Sequence, residues 1–318
     1  MTVPLGSLSP ATRDWIDRAA TRFAALRRLP RPGAEMPVPG DLPPGVSRDT
    51  DGSWVLREGL GGSGSLGIGS RIHFHHSLPS TNARLRALAP DVPPGTLVLA
   101  EEQTAGRGRH GRTWYSPPGG GLYVSMLLRP RIPLGYLGWV TLSTALGVVR
   151  TARRAGAEAR IKWPNDVLCG GRKIAGILAE GSSGTGGGRD VVVGTGINVT
   201  WDPEEVPGEI RERATSLSLC AGRGLDRDRV LAIFLAETGA LLGRVQEDLT
   251  DRPGDMPSMG SEVEACLVHL GETVRVKEGG GGAEGVCTGL TPQGYLKLDG
   301  GRRIVAGELI LSAEQEGN

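Results

Sequence analysis

The chain has 318 residues, room for about two domains, and its 38% hydrophobic content can fill a real core, so fibrous and wholly disordered classes are excluded. A formal net charge of +1 argues against a general coat for nucleic acid or for a membrane surface. No apolar run approaches the ~20 residues of a membrane-crossing helix, and residues 1–10 carry no signal-peptide pattern. The four cysteines (Cys169, Cys220, Cys266, Cys287) stand apart with no Cys-x-x-Cys pair, so neither a cysteine zinc site nor a disulfide framework is expected, and a reducing cytoplasm is.

Residues 1–70 read as an N-terminal extension. Helical spacing over 11–29 sets Trp15, Ile16, Ala19, Phe23 and Leu26 on one stripe. The Pro-rich 30–45 and the Gly/Ser-rich 59–69 read as linker. No two apolar-periodic helices joined by a tight turn occur here, so specific DNA binding is not expected. An α+β region follows over 71–250. Its strands are expected at 71–75, 96–101, 121–128, 161–163, 167–169, 173–179 and 191–193, with a hairpin at Gly170-Gly171. Its helices are expected at 82–89, 137–155 and 225–247. After a linker at 252–260, strands at 272–277, 284–290, 295–299 and 302–306 make a small β-barrel-like unit within 265–314.

Only Lys162, Lys173, Lys277 and Lys297 are lysine among 36 basic residues, which makes each one informative, because a compact ammonium does not substitute for a planar guanidinium. Residues 106–111 match Gly-x-Gly-x-x-Gly, but Thr113 to Gly121 cannot open the helix a dinucleotide fold needs. Gly62 to Gly67 fails the same test, and no P-loop motif exists. What remains at 106–112 is a glycine loop with Arg107, Arg109 and Arg112. Forked donors on such a loop suit phosphate or carboxylate; a solvated loop is the plain alternative. Lys162-Trp163-Pro164-Asn165-Asp166 ends a strand in a turn. Lys173 opens a strand face shared with Ala175, Ile177 and Ala179, where an ammonium wants an anionic partner. Two lysines beside Asp166 suit a metal-bridged polyphosphate together with a carboxylate; an ordinary ion-paired hairpin is the alternative. Ser80-Thr81-Asn82 alone is no more than an N-cap, and Asn198 alone a turn residue. His73, His75 and His76 lack helical metal-ligand spacing. Asp202, Glu204, Glu205 and Glu209 read as a solvated acidic loop.

Taken together these residues resemble the biotin protein ligases. The matching stretches are Ser80-Thr81-Asn82, Glu102 to Trp114, Lys162 to Asp166, Arg172 to Leu178 and Gly194-Thr195-Gly196-Ile197-Asn198, within residues 72–312. The resemblance implies a mixed-sheet α+β catalytic domain like that of class II aminoacyl-tRNA synthetases, in the biotin/lipoate ligase family, plus a C-terminal SH3-like β-barrel. It implies an ATP-dependent, Mg²⁺-assisted reaction that makes biotinyl-5′-AMP and passes biotin to a lysine of a biotin carboxyl carrier protein. Ser80, Thr81, Asn82 and Gln103 are then expected around the biotin head, and Arg107, Gly108 and Arg109 on the loop over the ligand. Lys173 would stand between carboxylate and α-phosphate. Lys162, Asn165 and Asp166 would serve phosphates and metal, Asp166 as the metal ligand. Asn198 would contact adenine, and Trp114 would pack the loop onto its base. Some relatives carry an N-terminal winged helix-turn-helix; residues 1–70 do not read that way, so they are expected to be dispensable for ligation. Ser312 follows Gly307-Glu308-Leu309-Ile310-Leu311 where relatives can have arginine. Two other readings stay open. A lipoate-attaching ligase shares the fold family but gives no reason for the double-arginine loop. A biotin-sensing regulator would need a basic recognition helix in 1–70. No membrane partner is expected, and pairing into a homodimer is left open.

Overall fold

The computed structural model describes residues 8–31, 34, 42–50, 52–56, 66–183, 189–201, 203–278 and 281–310. In chain order these form α1 (Pro10–Arg27), β1 (Val46–Arg48), β2 (Trp54–Leu56), β3 (Ile72–His75), α2 (Thr81–Leu88), β4 (Leu97–Ala100), β5 (Gly121–Leu128) and α3 (Gly138–Ala155). There follow β6 (Ala159–Lys162), β7 (Asp166–Cys169), β8 (Arg172–Ser183), β9 (Arg189–Asn198), α4 (Gly208–Arg213), α5 (Leu217–Ala221), α6 (Arg227–Asp251) and α7 (Gly260–Ala265). The last elements are β10 (Thr273–Glu278), β11 (Gly281–Leu290), β12 (Leu296–Leu298), β13 (Arg303–Ile304) and β14 (Glu308–Ile310).

Nine strands form a mixed sheet in the order β1-β2-β3-β4-β5-β9-β8-β7-β6, parallel between β3 and β4 and antiparallel at its other pairings. Period-two alternation sorts its side chains onto two faces. Leu97 and Leu99 of β4 join the large core under α3 and α6, while Val98 and Ala100 point to the smaller cluster with Leu85 of α2. Both faces are therefore covered, which is why β5 reads as a nearly unbroken apolar run.

The N-terminal segment departs from the expectation of an extension outside the catalytic unit and dispensable to it. The stripe of α1 is buried, with Ile16 and Ala19 at 0% exposure and Phe23 at 1%, and α1 packs on α6. Arg27 reaches Asp228 at 2.5 Å and also pairs with Glu101, which pairs with Arg227 at 3.1 Å. The β1–β2 hairpin joins the sheet edge through Trp54 opposite Phe74. The globular fold thus begins well before residue 71; strands of three residues are too short to show a period. Parts of the expected linkers (32–33, 35–41 and 59–65), Asp202 and Ser312 lie outside the described residues.

The five C-terminal strands make an antiparallel sheet in the order β13-β12-β11-β10-β14. Its last strand, β14, was not among those expected. Two indoles fasten this unit to the larger one: Trp139 Nε1 donates to the Pro292 carbonyl at 2.8 Å and Trp163 Nε1 to that of Gly294 at 3.1 Å. Backbone bonds between Ile161 and residues 266 and 268 continue the large sheet past β6. Among the described residues no helix is long and apolar enough to cross a membrane.

Candidate active site

Two short turns bring the charged groups together. Residues 163–165 join β6 to β7 and deliver Asn165 and Asp166, and the two-residue turn at Gly170-Gly171 returns the chain as β8 with Lys173 near its start. Lys173 Nζ lies 2.7 Å from Asp166 Oδ1 and 5.3 Å from the Trp114 ring centroid, so a carboxylate and an aromatic face both hold the ammonium. Asn165 Nδ2 donates to Asp166 Oδ1 at 3.1 Å, and Asn165 Oδ1 accepts from Arg109 at 2.9 Å. Arg109 also donates to the Gly307 carbonyl at 3.4 Å. Burial lowers the guanidinium pKa of Arg109. The hydrogen bond from Arg112 holds the Glu308 carboxyl below the usual range. The arginine loop is thus tied to the C-terminal unit by two of its three arginines, Arg109 at Gly307 and Arg112 at Glu308 of β14.

The polar wall is built at the start of α2. Ser80 caps that helix, its hydroxyl accepting from Ala83 N–H. Thr81 donates through its backbone N–H (2.9 Å) and hydroxyl (3.1 Å) to Gln103 Oε1, and Gln103 Nε2 donates to Ser116 Oγ at 3.0 Å. Ser125 bonds Thr81 Oγ1 at 2.8 Å and Asn82 Oδ1 at 2.6 Å. Asn82 Nδ2 donates to Glu180 at 2.8 Å, and Glu180 also pairs with Arg86 at 2.9 Å and Arg107 at 3.7 Å. Buried Thr81 and Asn82 are thereby satisfied and held to one orientation.

Two glycines of β9 explain the Gly194-Thr195-Gly196 motif. A Cβ at Gly194 would lie 2.1 Å from Asn82 Oδ1, and one at Gly196 would lie 2.3 Å from Trp114 Nε1. Each glycine makes room for one site side chain, a close-approach role that no other residue fills.

One cavity of about 150 Å³ collects Ser80, Thr81, Asn82, Gln103, Arg107, Gly108, Arg109, Trp114, Lys162, Asn165, Asp166 and Lys173, closed by Gly307, Glu308 and Leu309 of the C-terminal unit. Asn198 stands apart from this lining. It is 3% exposed, and its Nδ2 donates to the backbone carbonyls of Lys173 (3.4 Å) and Thr215 (3.1 Å). Sequence reasoning missed Ser116, Ser125, Glu180 and the placement of Glu308. Ser125 had a visible signal, a lone hydroxyl inside a buried strand that needs a partner. The distant pairings of Glu180 and Glu308 had none.

The cavity is lined by cations and amides and lies on the mixed sheet. The profile of the Biotin/lipoate A/B protein ligase family matches residues 74–198, and that of the Biotin protein ligase C terminal domain matches residues 269–312. The bifunctional ligase/repressor BirA of Bacillus subtilis (strain 168) is 43% identical over 170 residues, which are 53% of this chain and 52% of that protein. The match therefore spans about half the length of that relative. A biotin--[acetyl-CoA-carboxylase] ligase of Mycobacterium tuberculosis is 36% identical over 243 residues, covering 73% of this chain and 85% of the relative. The biotin protein ligase of Aquifex aeolicus, solved in complex with biotin and ATP, superposes with a TM-score of 0.64 at 32% identity, over 75% of this chain and 97% of that one. The chain belongs to the biotin protein ligases.

Proposed function

We propose that this protein activates biotin with ATP and transfers it to a lysine of a biotin carboxyl carrier domain. The observation that carries this reading is one cavity holding both the satisfied polar wall (Thr81, Asn82, Gln103) and the Lys173–Asp166 pair. The relatives' names and the bound biotin and ATP of the Aquifex aeolicus structure support it.

In the first step a biotin carboxylate oxygen attacks the α-phosphorus of ATP. The bond from that phosphorus to the bridging oxygen breaks, and pyrophosphate leaves. Both reactants are anionic, so cations fixed in advance lower the barrier most. Lys173 suits the place between carboxylate and α-phosphate; Trp114 and Asp166 hold it there. Ser80, Thr81, Asn82 and Gln103 present donors and acceptors for the ureido head. Lys162 and Asn165 would serve the phosphates, and Arg107, Gly108 and Arg109 the loop over the ligand. Asn198 is placed to fix the backbone of Lys173, which supports a positioning role over the adenine contact expected for it. In the second step the acceptor's amine forms the amide C–N bond, the acyl C–O bond breaks, and AMP departs with the electron pair while the amine gives up a proton.

The Asp166 carboxylate and Asn165 carboxamide fit Mg²⁺, a hard cation commonly held by one or two carboxylates plus substrate phosphates. When bound, Mg²⁺ supplies neutralisation of polyphosphate charge. We further divide the chain into a catalytic unit, which takes in α1 and the β1–β2 hairpin of the expected N-terminal segment (1–70) as well as the expected 71–250, and a C-terminal unit (265–314). α1 spends its apolar stripe on the catalytic core, which speaks against a DNA-reading role. The test is to incubate the protein with ATP, biotin and a purified carrier domain. Gain of one biotinyl mass on a carrier lysine is expected; an unmodified carrier contradicts the reading.

A further inference from the structure

Glu180 does not line the cavity of the site, yet it reaches that cavity's polar wall. Its carboxylate faces three donors: Asn82 Nδ2 at 2.8 Å, Arg86 at 2.9 Å and Arg107 of the loop at 3.7 Å. The β8–β9 ladder sets Leu178 opposite Gly194 and Glu180 two residues further on, on the same face of the strand. Gly194, without a Cβ, leaves the room that Asn82 fills beside them. We propose that Glu180 is a positioning residue for ligand specificity. It fixes which end of the Asn82 carboxamide the cavity presents, and so makes the pocket require an N–H on the ureido head. This rests on the ligase reading given above.

A carboxamide is nearly symmetric in shape, so its partners decide which end is nitrogen. The two groups before Asn82 Nδ2 are the Leu178 carbonyl, at 3.2 Å, and the Glu180 carboxylate. Both carry lone pairs and no proton, so both amide N–H groups are engaged there. The oxygen therefore turns the other way, where Ser125 Oγ lies 2.6 Å from Oδ1. The Ser125 hydroxyl has a single proton, and the shorter of its two contacts directs it to Oδ1 rather than to Thr81. One lone pair of Oδ1 stays available. A ligand that meets Asn82 thus finds an acceptor and no donor. A cyclic urea carries an N–H on each side of its carbonyl, and one of them answers that acceptor. Asn82 is buried, so water does not stand in for a lost partner. The charge of Glu180 holds the arrangement. With a carboxamide in its place, the guanidinium groups of Arg86 and Arg107 draw the new oxygen, and an –NH₂ faces Asn82. Asn82 is then drawn to turn its oxygen outward and its nitrogen towards the ligand.

The test is Glu180→Gln in the full chain, a near-isosteric change, with urea unfolding as the check on folding. ATP–pyrophosphate exchange is read with three ligands: biotin, and the two cyclic carbamates in which one or the other ureido N–H is replaced by oxygen. Wild type should reject one carbamate by ~10²-fold in KM relative to biotin, because a ring oxygen then faces Asn82 Oδ1. In Glu180→Gln the biotin KM should rise about tenfold and the rejection of that carbamate should shrink about tenfold, while the KM for ATP stays near wild type. A merely structural role would weaken all three ligands alike; an unmoved carbamate-to-biotin ratio therefore overturns the proposal. Arg86→Met leaves the carboxylate on Asn82 and should keep the wild-type ratio, since an exposed ion pair contributes little. A ratio changed as much as in Glu180→Gln overturns the proposal in favour of simple charge balance. A wild type that takes both carbamates as well as biotin overturns it too, and so does a Glu180→Gln chain that fails to fold, which assigns the residue to stability. A wild type without biotin-dependent exchange defeats the ligase reading itself, a distinct result.

Discussion

Lys173 Nζ and Asp166 Oδ1 meet at 2.7 Å, although the β7–β8 ladder sets Asp166 opposite Gly176 and Lys173 opposite Leu168. An irregularity between Val167 and Leu168 shifts that register, and the lysine reaches along the strand to the carboxylate. A pair held this way is aimed before any ligand arrives, which is the condition for electrostatic stabilisation without reorganisation.

Removing the ammonium leaves two anions unscreened. Lys173→Ala is expected to slow biotinyl-adenylate formation by ~10²-fold or more, the scale of losing one oriented donor. Lys173→Arg should not restore it, since a planar fork does not occupy the place of a point charge over Trp114. Pyrophosphate exchange checks both, and a wild-type rate in the alanine variant removes Lys173 from the chemistry.

Arg109 ties its loop to Asn165 (2.9 Å) and to the Gly307 carbonyl (3.4 Å). Arg109→Gly cuts both ties and adds a residue whose ordering is costly. The first step should survive in part, because Lys173 and Asp166 are untouched, while the reactive anhydride leaks. Biotin should then appear on unrelated proteins. Incubating the variant with ATP, biotin and serum albumin, then blotting for biotin, reads this out; albumin labelled no more than by wild type, with adenylate still made, removes the loop from the role of lid.

Gly196→Ala places a methyl where Trp114 Nε1 now stands 2.3 Å from the ideal Cβ. The indole must move, and the ammonium loses the ring beneath it. The β9 strand itself should persist, since its pairings to β5 and β8 are backbone bonds. Expected are a higher KM for both ATP and biotin and an altered tryptophan emission spectrum, with the urea midpoint moving far less than in the Phe23 variant described next.

The N-terminal segment should prove indispensable. Phe23→Ala, at a site 1% exposed, should cost ~3–5 kcal/mol, as large-to-small changes in a packed core do. Deleting residues 1–30 also strips Arg27 from Glu101 and Asp228 and should give an insoluble or unfolded chain. Urea midpoints and soluble yield check this, and a truncated chain as stable as the full one would show that α1 is an ornament.

Much of the catalytic unit was legible in the sequence. The 121–128 strand and the 137–155 helix came out almost to the residue, because an eight-residue apolar run and a long 3.6-period stripe are strong signals. Part of the cavity was legible through unusual residue types, two lysines in an arginine-writing chain and a glycine loop with no helix behind it, whereas Ser80, Thr81, Asn82 and Gln103 came only with the family resemblance. What was illegible depends on contacts between distant segments. Asn198 looked available until its amide was found on the carbonyls of Lys173 and Thr215. Val46–Arg48 and Trp54–Leu56 hid a hairpin in strands too short for periodicity. Glu308 stood in a quoted motif, yet only the docked C-terminal unit shows that it grips Arg112.

The central claim is that this cavity activates biotin. The most direct measurement is ATP–pyrophosphate exchange by the full chain with no acceptor present, run with biotin and, in parallel, with lipoate. Exchange that depends on biotin and is absent with lipoate is the expected result. Exchange with lipoate instead, or none with biotin, contradicts the account.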